Sequence, residues 1–176
     1  MTTRGDRMTL DALNRLDEAG FTRALGEIFE HSPWVAAEAW RERPFADVDG
    51  LHRAMAGLVF AAPREHRLAL LRAHPELAGR EAHARTLTAS SAAEQSGAGL
   101  TALSRDEAVR MAKLNAEYRA RFDFPFIIAV KNYTKRGILR EFARRLANDP
   151  ETEFDTCVRQ VCEIGLIRLE EMLGDA

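Results

Sequence analysis

At 176 residues the chain is long enough to bury a proper core and short enough for a single domain. Its 27 acidic residues nearly balance 25 basic ones, and no basic stripe with interleaved aromatics runs along it. Nucleic acid and membrane surfaces are therefore excluded as expected partners, and a small molecule is favoured. No run reaches membrane-spanning length, MTTRGDRMTL lacks an apolar signal core and EMLGDA carries no peroxisomal or retention tripeptide, so a cytoplasmic protein is expected.

Leu10, Leu13 and Leu16 suggest a short opening helix, and Phe21, Leu25, Ile28 and Phe29 continue an apolar stripe, so one helix or two end near His31. Ser32-Pro33 reads as an N-cap with proline at the first helical position, predicting a helix over 34–42 stopped by Pro44, with Trp34 and Trp40 packed inward. Asp49 is the expected cap of the next helix, carrying Leu51, Met55, Leu58 and Val59. Pro63 opens another through Leu68 and Leu71 to Ala73. Ser104 with Glu107 forms a capping box for a long, half-exposed helix carrying Ala108, Met111, Leu114 and Tyr118. Residues 122–130, FDFPFIIAV, are apolar without helical period and contain a proline, which predicts an extended buried segment. Thr134 caps a helix with Ile138, Leu139, Phe142 and Leu146 inward, and Asp149-Pro150 opens the last helix, to about Leu173. Cys157 and Cys162 lie on different faces of that helix and are expected as buried, reduced thiols. The expected fold is therefore all-α: one domain over 1–176, core about 10–173, with roughly seven to nine helices and one short extended buried segment.

The stretch from His74 to Leu100 holds polar residues that the helical periods do not explain. His74 precedes Pro75 and so sits at a helix end, where it could bond the last carbonyls or act on a ligand. Ser91-Ala92-Ala93-Glu94 fits a second capping box, which by itself would account for Glu94. Arg168 falls on the apolar stripe of the last helix, with Phe154, Val158, Val161, Gly165 and Met172. It either pairs with a structural carboxylate or clamps an anion with its planar fork. No metal-ligand cluster is visible: His74 and His83 are nine apart, with no HExxH or Cys-His set, and there is no P-loop, GxGxxG or GxSxG.

Taken together, LGEIFEHSPWVAAEAW, RPFADVDGLHRAM, LLRAHPELAGR, SSAAEQSGAGLTALS, LNAEYRARFDFPFIIAVK, RLANDPETEF and the closing IRL resemble the OHCU decarboxylase family, over roughly residues 10 to 170. The name stands for 2-oxo-4-hydroxy-4-carboxy-5-ureidoimidazoline decarboxylase. The resemblance implies an all-helical, homodimeric lyase that needs no cofactor and takes the last step from urate towards (S)-allantoin. It matches the family's catalytic residues to His74, Glu94 and Arg168. Its substrate contacts match Pro75, the run Ser91, Ala92, Ala93, Glu94 and Gln95, and the segment Phe126, Ile127, Ile128, Ala129 and Val130. Glu76 and Asp123 stand where many relatives have Asp and Gly, and neither is a matched catalytic position. A helical ligand-binding or interaction module, and a lyase for a related ureide or β-keto acid, are the rival readings.

Overall fold

Alanine- and leucine-rich stretches punctuated by Ser, Thr and Asp fold as helices throughout the computed structural model, which describes residues 8–174. The reading of MTTRGDR and of the last two residues lies outside that range. Among the described residues there are ten α-helices, two of them (Leu10–Asn14 and Arg80–His83) single turns, two 3-10 turns and no strand. The all-α expectation holds. The chain divides into two compact units, Met1–Leu70 with Cys162–Ala176, and Leu71–Val161.

The first unit contains α1 (Leu10–Asn14), α2 (Glu18–Leu25), α3 (Trp34–Ala39) with the 3-10 turn Trp40–Glu42, and α4 (Val48–Ala61). The start of α5 (Arg64–Arg72) and the end of α10 (Pro150–Leu173) complete it. Thr9, Asp17 and Asp47 each accept a backbone N–H at a helix start. Asp47, not Asp49, is thus the cap of α4. Leu13, Phe21, Leu25, Phe29, Val35, Leu51, Met55, Val59 and Leu169 form the core. Gly165 lets α10 approach the ring of Phe29, since a Cβ there would sit 3.1 Å from Phe29 Cζ. Two further local expectations fail. Ser32 does not cap α3: its hydroxyl donates to the Glu30 carbonyl, and Pro33 stands at the helix start without a side-chain cap. Trp34 and Trp40 are half-buried rather than core residues. Trp40 keeps its indole N–H on the Leu16 carbonyl, with the Arg43 guanidinium 4.3 Å above its ring, and small Ala36 and Ala39 take the inward positions.

The second unit contains the rest of α5, α6 (Arg80–His83), α7 (Ala89–Gly97), α8 (Arg105–Phe122), the 3-10 turn Val130–Asn132, α9 (Lys135–Arg145) and the first part of α10. The Ser104–Glu107 capping box forms in both directions, at 3.2 and 2.8 Å. Asp123, in the left-handed region at φ 63°, ends α8. The buried extended segment starts at Phe124 rather than at 122, because Phe122 closes α8 and Asp123 is its exposed cap; residues 124–129 then run buried without helical structure to the turn at Val130. Their rings pack around Tyr118: Phe122, Phe124, Phe126 and Phe142 all lie within 6.0 Å of it, centroid to centroid. Cys157 and Cys162 are buried free thiols.

Candidate active site

The sequence around His74 makes α5 stop, because Pro75 cannot continue the helix. His74 is buried at that stop, and its backbone N–H donates to the Leu71 carbonyl at 3.2 Å. The loop that follows is fixed from three directions. Asn115 on α8 donates its amide to the Leu77 carbonyl at 2.9 Å, Arg119 holds the Glu76 carboxylate at 3.2 Å, and Gln95 on α7 accepts the Ala78 N–H at 2.9 Å.

The last of these bonds joins the histidine loop to α7. That helix starts earlier than the Ser91-x-x-Glu94 pattern suggests: Thr88 is the N-cap, accepting the Ser91 N–H at 3.3 Å. Ser91 and Glu94 therefore lie inside the helix, and the capping explanation for Glu94 is overturned. A carboxylate at a cap would face water, whereas Glu94 is 9% exposed and its neighbours Ser91 and Gln95 are also buried. Burial without a capping role is a feature of functional carboxylates, because desolvating a charge is costly unless something is gained from it.

Within the same unit α7 packs against the 3-10 turn Val130–Asn132, which ends the extended segment. The structure thus brings together the loop carrying His74 and Pro75, the helix carrying Ser91 to Gln95, and the end of the Phe126–Val130 segment. All five residues of that segment are buried, and the first four, Phe126 to Ala129, lie outside any helix. A cleft of about 440 Å³ in this unit is lined by Ala78, His83, Arg85, Ala92, Leu100 and Thr101, so that Ala92 is one of the expected contact residues that borders open space. Among the described residues no group of three His, Cys, Asp or Glu side chains is placed to hold a metal ion.

Arg168 belongs to the first unit. It is 5% exposed, and its Nη1 donates to Glu30 Oε2 at 2.9 Å and to the Glu27 carbonyl at 3.1 Å. The structural carboxylate considered as its partner is therefore present, as Glu30. Residues that pattern reading missed include Glu30, Gln160 and Arg145. Of these, Arg145 carried a signal, for it falls three residues after Phe142 and seven after Ile138, on the buried stripe of α9.

Comparison with known proteins agrees with this organisation. The sequence pattern of OHCU decarboxylase matches residues 14–170. The 2-oxo-4-hydroxy-4-carboxy-5-ureidoimidazoline decarboxylase of Mus musculus is 41% identical over 95% of this chain and 94% of its own. That of Haloferax volcanii is 45% identical over 93% and 95%. A crystal structure of (S)-allantoin synthase superposes with a TM-score of 0.77 at 29% identity, over 94% of this chain and 54% of the other, so this chain spans about half of that protein. With the match running almost from end to end, the chain belongs to the OHCU decarboxylase family.

Proposed function

We propose that the protein is a carboxy-lyase that converts 2-oxo-4-hydroxy-4-carboxy-5-ureidoimidazoline to (S)-allantoin in urate degradation, without a cofactor and with stereospecific protonation. The observation that carries this reading is the buried Glu94 on α7, tied through its neighbour Gln95 to the loop that follows His74. Family membership supplies the substrate class.

When the carbon–carbon bond to the carboxylate breaks and carbon dioxide leaves, the electron pair stays on the ring, whose unsaturated, carbonyl-bearing system delocalises it as an enolate. A new C–H bond then takes one proton, on one face. His74 donates that proton, which suits a group whose ordinary pKa is near 6.5. Glu94 orients the histidine or the substrate's hydroxyl and N–H groups, and Arg168 pairs with anionic or carbonyl oxygen. Pro75, Ser91, Ala92, Ala93, Gln95 and the Phe126–Val130 backbone contact the ureidoimidazoline, and the buried members of that set, Ser91, Gln95 and the Phe126–Val130 segment, keep water from the enolate. The enzyme acts as a single domain over residues 1–176, in the cytoplasm and as a homodimer, which sedimentation equilibrium would check.

The decisive experiment is polarimetry on freshly generated substrate. The spontaneous reaction yields racemic product, so the protein is expected to produce optical rotation as well as a faster loss of substrate. Racemic allantoin formed at the uncatalysed rate would end the proposal. Turnover of a different ureide or β-keto acid, with none of this substrate, would favour the rival lyase.

A further inference from the structure

A buried polar cluster in the second unit has no part in the proton transfer. Arg145 is 2% exposed and Glu153 fully buried. The Nε and Nη2 atoms of Arg145 meet Glu153 Oε1 at 2.8 and 2.6 Å, and Tyr118 donates its hydroxyl to the same oxygen. Asn148 holds the other carboxylate oxygen at 2.7 Å, and Cys157 Sγ lies 3.2 Å from the Tyr118 hydroxyl. A buried ion pair is a poor source of net stability, because an apolar replacement of similar volume often does as well. What the cluster holds is more informative.

The remaining donor of Arg145, Nη1, reaches the Ile127 carbonyl at 2.8 Å, and the guanidinium lies 4.3 Å above the Phe126 ring. Two residues further on, the Ala129 N–H donates to Gln160 Oε1 at 2.9 Å. The Ala129 and Val130 carbonyls accept from the N–H groups of Asn132 and Tyr133. The backbone is thus pinned on both sides of Ile128. Among the described residues no hydrogen bond is made by the N–H or C=O of Ile128 itself, although the residue is buried. Buried backbone groups are nearly always paired, so this donor and acceptor invite a ligand that offers the complementary pair. A ureide does so with its own C=O and N–H.

We propose that Arg145 and Gln160 are positioning residues, clamping Ile127 and Ala129 so that the backbone N–H and C=O of Ile128 are presented to the ureido group of the substrate. This rests on the function proposed above. The clamp sets binding rather than proton transfer, so its loss is expected in KM more than in kcat.

Two variants and one control test it. Gln160→Leu removes the half-exposed side of the clamp and spares the buried ion pair. Arg145→Lys keeps a cation for Glu153 but cannot span both Glu153 and the Ile127 carbonyl. The control, Arg145→Met with Glu153→Gln, removes both charges together and keeps a folded protein available if Arg145→Lys does not fold. Each folded variant should show KM raised roughly five- to tenfold, the loss of about one hydrogen bond, with kcat and the handedness of the product little changed. Wild-type KM in Gln160→Leu and in a folded Arg145 variant would overturn the proposal while leaving the decarboxylase reading intact. A wild-type protein without activity would overturn both.

Discussion

Replacing His74 by alanine separates chemistry from folding, because the residue ends a helix and its removal deletes little core volume. The expected result is a loss of roughly 10²- to 10⁴-fold in the rate of (S)-allantoin formation, the usual worth of a general acid, at unchanged helicity. Near wild-type rate and handedness would make His74 structural and shift the acid role to Glu94. Arg168 needs a finer test, since it has two roles to play. Removing it takes the ion-pair partner at 2.9 Å away from the buried Glu30, at a cost of about 3–5 kcal/mol, so inactivity in Arg168→Met could reflect unfolding alone. Glu30→Gln disrupts the same ion pair while keeping the arginine. Both variants should lower the thermal midpoint, but only Arg168→Met should abolish turnover when compared at equal folded fraction. Equal inactivity in the two would reduce Arg168 to a structural residue.

The difference between local pattern and tertiary choice is clearest at the element scale. Ser91-x-x-Glu94 and Ser104-x-x-Glu107 have the same spacing, yet only the second is a capping box. Thr88 lies three residues before Ser91 and offers the same hydroxyl, so the helix begins there and carries Ser91 and Glu94 inside it. Nothing in the four-residue pattern decides between the two starts. Most other elements were legible because one signal dominated: the proline after His74, the Thr134 cap, and the lack of helical period that marks 124–129. The polar core was not. Arg145 shares a face with Ile138 and Phe142, but its partners Tyr118 and Glu153 belong to other helices, and Glu30 is separated from Arg168 by almost the whole chain. The cap assignment has a measurable consequence. Thr88→Ala and Ser104→Ala should each lower stability by about 1 kcal/mol in denaturant titration, whereas Glu94→Gln should leave the midpoint nearly unchanged and lower turnover. A Glu94→Gln variant that loses as much stability as Ser104→Ala, with full activity, would restore Glu94 to a structural part.

The response of stability to pH belongs to the whole molecule, and its two limbs have different origins. Burial pushes the Cys157 thiol up from 9.0 to about 11, against the opposing pull of Arg145, and burial alone pushes Cys162 up to about 12. Burial, then Cys157 and Glu153, likewise raise the Tyr118 hydroxyl. A folded state that keeps a proton the unfolded chain releases is stable in full below the unfolded value. It loses that stability as pH climbs from 9.0 through the folded values, by up to about 1.4 kcal/mol per pH unit for each thiol. On the acid side Lys135 first and then the Ser104 N–H hold Glu107 below the ordinary carboxylate range, and Thr152 does the same for Asp149. Their contribution is present above that range and fades as pH falls through the lowered values. These carboxylates lie at the surface, where salt screens them, so the acid limb should be shallow and flatten further at high ionic strength. The thiols are buried and therefore shielded from salt. Thermal unfolding followed from neutral pH to about 12 should therefore show an alkaline limb that salt barely alters and that Cys157→Ala with Cys162→Ala makes less steep. An alkaline slope identical in that double variant would assign the loss to other groups, with the Tyr118 phenol first among them.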